Sequence, residues 1–130
     1  MSEPAWIDAD ELVEFNRLTV EDTGKPHLLL HPDMLDSAVH RPRQVRDIGG
    51  VEDVVALGCA LAASIPQNHP CQQANKRTAQ AALFRFLWIN GYTFRDPDDA
   101  ALAELLIALI EHELSEEEYA AAIDRHVVER

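Results

Sequence analysis

The stretch "NHPCQQANKRTAQAALF", Asn68 to Phe84, sets a histidine shortly ahead of an asparagine and two adjacent cations. A neutral imidazole at His69 can take the proton of a hydroxyl and so turn that oxygen into a nucleophile. Asn75, Lys76, Arg77 and Thr78 follow where an apolar helical pattern begins. The free amides of a helix start, the point charge of a lysine and the planar fork of an arginine all suit phosphate oxygens. Cations ordinarily avoid this end of a helix, because its amides already carry partial positive charge. A bound anion resolves the conflict. A base and an anion cradle on one short loop are the parts that phosphoryl or nucleotidyl transfer requires.

The rest of the chain must hold that loop. "WIDADELVEFNRL" reads as a helix capped by Asp8, with Glu11 in the capping-box position and Leu12, Phe15 and Leu18 turned inward. Gly24 and Pro26 stop it. "HPDMLDSAV" predicts a second helix with Pro32 at its first position, Met34, Leu35 and Val39 inward, and an end before Pro42. "RPRQVRDIGG" then reads as an irregular loop carrying Arg41, Arg43 and Arg46. "VEDVVALGCALAASI" is apolar nearly all round, which predicts a buried central helix, and Gly58 with its neighbouring alanines lets other helices approach closely.

A further helix is expected from Thr78 to Asn90, with Leu83, Phe86 and Leu87 inward and Gly91 as a left-handed cap. Phe84 and Trp88 on the same helix are read as packing residues. "YTFRDPDD" reads as an extended or turn segment, Asp99 as the cap of a helix over Ala100–Leu114, and Ser115 with Glu118 as the capping box of a last helix. The expected fold is one all-α domain over residues 1–130, a bundle of about six helices with the active-site loop between two central ones.

Composition narrows the partners. A net charge of −12, from 23 acidic against 11 basic residues, leaves no broad basic face for direct nucleic-acid binding. It equally disfavours an anionic membrane surface, and no run is long enough to span a bilayer. Without a leader-like start, and with Cys59 and Cys71 as the two thiols, the expectation is a cytoplasmic protein with reduced cysteines. His27, His31, His40, His112 and His126 show no metal-ligand spacing.

"HPCQQANKRTA" resembles the signature of the Fic/Doc superfamily, His-x-Phe-x-(Asp/Glu)-(Gly/Ala)-Asn-(Gly/Lys)-Arg. "LDSAVHRPR", "NHP", "NKRTA" and "FLWINGY" look like its Doc (death-on-curing) branch in order and spacing, from about Trp6 to Ile123. The resemblance implies the Fic/Doc-like bundle and a toxin of a toxin–antitoxin pair. Such a toxin would transfer the γ-phosphate of ATP, with Mg²⁺, to a hydroxyl of a translation factor of the elongation factor Tu type and arrest translation. It also implies silencing by a Phd-like antitoxin protein.

Carried over to this chain, His69 would be the catalytic base, and Asn75, Lys76, Arg77 and Thr78 would hold the nucleotide phosphates, Lys76 and Arg77 with a catalytic part as well. Arg41, Arg43 and Arg46 would help bind the target. AMP-transferring relatives have glycine where Lys76 stands, and many have a second arginine where Gln80 stands. Two positions depart from the pattern. Gln73 replaces the acidic ligand of Mg²⁺, leaving an amide oxygen as a weak metal ligand. Cys71 replaces an aromatic anchor of the loop. Two alternatives remain open: AMP transfer of the Fic type, or a catalytically silent relative that only binds nucleotide or a protein partner.

Overall fold

The computed structural model of the protein describes residues 3–24, 30–65, 73–95 and 99–130. Helix α1 spans Ala9–Thr23; the Asp8 carboxylate accepts the Glu11 amide at 2.8 Å, and Gly24 at φ 69° closes the helix on the carbonyls of Val20 and Glu21. Its buried stripe is Leu12, Asn16 and Val20, whereas Leu18 is 50% exposed. The inward position expected for Leu18 is therefore corrected, because Asn16 turns inward to make hydrogen bonds described below.

Helix α2 spans Pro32–Asp47, with the His31 imidazole accepting the Asp33 amide. It does not end before Pro42 but runs through it, so "RPRQVRDIGG" is largely helical rather than a loop. Proline removes the amide that would bond the Ala38 carbonyl four residues back. The Ser64 hydroxyl lies 3.4 Å from that carbonyl and 2.7 Å from the carbonyl of Leu61, so its one proton is shared between them. A side chain of the next helix thus partly replaces the missing donor.

That next helix, α3, spans Val54–Ser64 and is enclosed almost all round, as its sequence leads one to expect. It packs on α2 and on helix α4, Gln73–Ile89. A Cβ on Gly58 would meet the ring of Phe86 at 3.0 Å and the side chain of Leu83 at 3.1 Å, so any larger residue would need these side chains to give way. Leu83, Phe86 and Leu87 are fully buried. Phe84 and Trp88 are not: both stay about two-fifths exposed, at 42% and 43%. Phe84 leans on Phe94, and the Arg130 guanidinium lies 4.6 Å from the Trp88 ring centroid.

Helix α4 begins at Gln73 rather than Thr78, which puts the Asn-Lys-Arg triplet inside its first turns instead of in a loop. After Gly91, at φ 92°, strand β1 (Tyr92–Phe94) pairs antiparallel with β2 (Val127–Glu129), Tyr92 opposite Glu129. The second strand had no counterpart in the sequence reading. Even so, six helices and one two-stranded ribbon among the described residues make an all-α bundle.

Helix α5 covers Asp99–Ile110, shorter than expected, and α6 covers Glu116–Asp124 behind the expected Ser115–Glu118 capping box. What ends α5 early is a left-handed turn at His112, φ 62°. The His112 amide bonds the Leu109 carbonyl and the Glu113 amide bonds that of Ala108, the pairing that glycine usually serves. A Cβ at such a φ is strained. His112→Gly is expected to stabilise the fold by about 0.5–1 kcal/mol, read as a rise of a few degrees in thermal unfolding.

Candidate active site

Two buried side chains anchor the start of α4. Asn75 and Thr78 are both fully enclosed. Thr78 Oγ1 accepts from Asn16 Nδ2 at 3.1 Å, while Asn16 Oδ1 accepts the Leu30 amide at 2.9 Å. One buried amide therefore ties α4, α1 and the entry to α2 together. The hydroxyl of Thr78 meets Asn16 inside the bundle, not solvent. Asn16 escaped the sequence reading; its one trace was a polar residue on the apolar stripe of α1.

The next two side chains face outward. Lys76 is partly buried and Arg77 exposed, and both line a cleft of about 390 Å³. The near wall is α4, with Lys76, Arg77, Gln80 and Phe84; the far wall is α5, with Leu102 and Leu106, and Phe94 adds an aromatic side. The volume suits a small molecule, and cations beside apolar walls suit an anion with an apolar body.

Arg77 has a rival for that anion. Its Nη2 lies 2.8 Å from the Asp22 carboxylate on α1, a pair with side chains 45% and 68% exposed. A pair so exposed is worth well under the strength of a buried one. Asp22→Asn is expected to tighten binding of tripolyphosphate about two- to fivefold without loss of thermal stability, which calorimetric titration would read.

The three arginines of α2 do not share a face. At about 100° per residue, Arg41 and Arg43 point roughly 160° apart around the helix. Arg41 reaches Glu116 of α6 at 3.2 Å, Arg43 lies 5.4 Å from the Trp6 ring centroid, and Arg46 pairs with Asp47 at 3.3 Å. Arg41 also lines a second, more polar cleft of about 340 Å³ with Asp33, Gln44 and Ser64. Ser64 stands at the end of α3.

His69 and Cys71 lie outside the described residues, and of Gln73 only the backbone, the first residue of α4, is described. Cys59, the thiol within α3, is buried and unbridged, and burial pushes it well above the usual thiol range. Its enclosure makes it inert to modification.

The Fic/DOC family model matches residues 6–87, from Trp6 through most of α4. The chain belongs to the Fic/Doc family. It is 39% identical over 77 residues to Toxin Doc of Mycolicibacterium smegmatis (strain ATCC 700084 / mc(2)155), a stretch covering 57% of this chain and 58% of that relative. The match therefore spans a little over half of that Doc protein. Within the family frame, the motif runs from His69 to Arg77 and straddles the start of α4. The family match stops at Leu87, so α5, the far wall of the cleft, lies beyond it.

Among the described residues, no three or more of His, Cys, Asp and Glu gather as they would around a metal ion. No helix among them is long and apolar enough to cross a membrane.

Proposed function

We propose that this Fic/Doc protein is a Doc-type toxin that transfers the γ-phosphate of ATP to a protein hydroxyl. The observation that carries the reading is Lys76. It stands between Asn75 and Arg77 on the first turns of α4 and lines the cleft there, where AMP-transferring relatives have glycine. The similarity to a protein named Toxin Doc supports it.

In this reading His69 takes the proton of the target hydroxyl as its oxygen forms a bond to the γ-phosphorus. The bond from that phosphorus to the bridging oxygen breaks, and ADP departs with the electron pair. Lys76, Arg77 and the first amides of α4 stabilise the charge spread over the transferring group. Asn75, enclosed with Thr78, fixes the first turn of the helix that presents them.

Mg²⁺, when bound, would neutralise phosphate charge. Its fit to the residues present is partial, because Gln73 supplies an uncharged amide where a carboxylate would serve better, so the nucleotide's phosphates would be its main ligands. Arg41, which lines the second, more polar cleft with Ser64, is the α2 arginine that this reading assigns to the target. The target class is a translation factor of the elongation factor Tu type, and the regulator a Phd-like antitoxin.

ATP labelled separately at the α- and γ-positions, with Mg²⁺, a bacterial extract and His69→Ala as control, tests the reading. Label reaching protein from the γ-position alone, and lost in the control, is the expected result. Label from the α-position would mean AMP transfer. Gln73 favours one further reading, a silent relative; label from neither position would establish it, and Gln73→Asp would then restore transfer.

A further inference from the structure

The cleft along α4 has a direction. Lys76 and Arg77 stand near the helix start, Gln80 a turn further on, and Phe84 another turn beyond. At about 1.5 Å per residue, the stripe from Lys76 to Phe84 runs about 12 Å. Phe94 flanks the far end, its ring centroid 5.6 Å from that of Phe84, and α5 supplies an aliphatic opposite wall. The cations call for an anionic head at one end. The 42% exposure of Phe84 leaves an aromatic surface to be covered at the other.

Gln80 narrows the choice of body. Among the described residues it is the one uncharged polar side chain lining the cleft, and it is partly buried. Its amide brings two donors and an acceptor. A hydrocarbon body, such as an acyl chain, would cover that amide without pairing it, and an unpaired amide under apolar cover costs free energy. A nucleobase avoids the cost: its faces lie against the apolar walls while its edge meets Gln80.

Building on the nucleotide reading above, we infer that the Gln80–Phe84 end of the cleft holds the base, and that Gln80 selects adenine. A glutamine amide donates to adenine N7 and accepts from the N6 amine together. Guanine presents two acceptors, N7 and O6, so the glutamine oxygen would face a lone pair. The phosphates then lie toward Lys76 and Arg77. Gln80 is a specificity residue, acting on the base and not on the transferring phosphate.

Calorimetric titration of the full chain with ATP, GTP and tripolyphosphate, each with Mg²⁺, tests this in the wild type, Gln80→Leu and Phe84→Ala. Wild type is expected to bind ATP roughly tenfold tighter than GTP. Gln80→Leu should bring that ratio close to one and leave tripolyphosphate binding unchanged. Phe84→Ala should weaken both nucleotides and spare tripolyphosphate. An ATP/GTP ratio near one in the wild type, or one that Gln80→Leu leaves intact, would overturn the role of Gln80 while the nucleotide reading stood. Nucleotides binding no tighter than tripolyphosphate would remove the base from the cleft. Failure of all three to bind would overturn the nucleotide reading itself, and this inference with it.

Discussion

His69→Ala is expected to lower γ-phosphate transfer about 10²–10⁴-fold while leaving ATP binding nearly intact. The two halves of that statement rest on different parts of the site. Proton removal from the target hydroxyl would belong to the imidazole, and its loss falls on the chemical step. Nucleotide affinity would belong to Lys76, Arg77 and the cleft along α4. Transfer measured at saturating ATP, beside a calorimetric titration, separates them: kcat should fall and the ATP dissociation constant should hold. A variant that lost both together would place His69 in the packing of the loop instead.

The second large effect is structural. Phe86→Ala is expected to cost about 3–5 kcal/mol, a large share of the whole stability of a domain of this size. Phe86 is fully buried, its ring 6.0 Å from that of Trp6 and within reach of the notch that Gly58 leaves in α3. On the α3 side Gly58 offers no side chain to move into the space. Thermal unfolding followed by circular dichroism should show a fall of about 10–20 °C. Phe86→Leu, which keeps most of the volume, should cost about 1–1.5 kcal/mol.

Four local signals stand in their expected roles, whereas Asp99, expected to cap α5, is instead its first residue. Asp8, Gly24, Gly91 and the Ser115–Glu118 box each act within a few residues, and each is found in its expected role. Pro42 reads locally as a stop. The helix passes it because Ser64, 26 residues away from Ala38, lends a proton to the orphaned carbonyl. The early start of α4 was missed because its first turn is polar and gives no apolar period. The β2 strand was missed because its partner lies in a distant part of the chain.

At the site, although the structure turns Lys76 and Arg77 outward and encloses Asn75, the Asn-Lys-Arg triplet as a proposed anion cradle was legible from residue chemistry alone. The cleft beside it was not, because Leu102 and Leu106 reach it only through the packing of α5 on α4. Asn16 was equally hidden, since a polar residue on a buried stripe declares itself only once its partners are known.

The enclosure of α3 also bears on how the molecule breathes. Helices α2, α4, α5 and α6 all lean on it, so its amides can meet solvent only when those contacts part together. Hydrogen exchange there should follow global unfolding, whereas the amide of Ala5, held at the surface by the Asn90 side chain, should exchange through a small local opening. The start of α4, tied inward through Thr78 and Asn16, belongs to the slow class. A turn proposed to bind phosphate that opens only with the whole domain would arrive at its ligand already shaped, with little ordering left to lose.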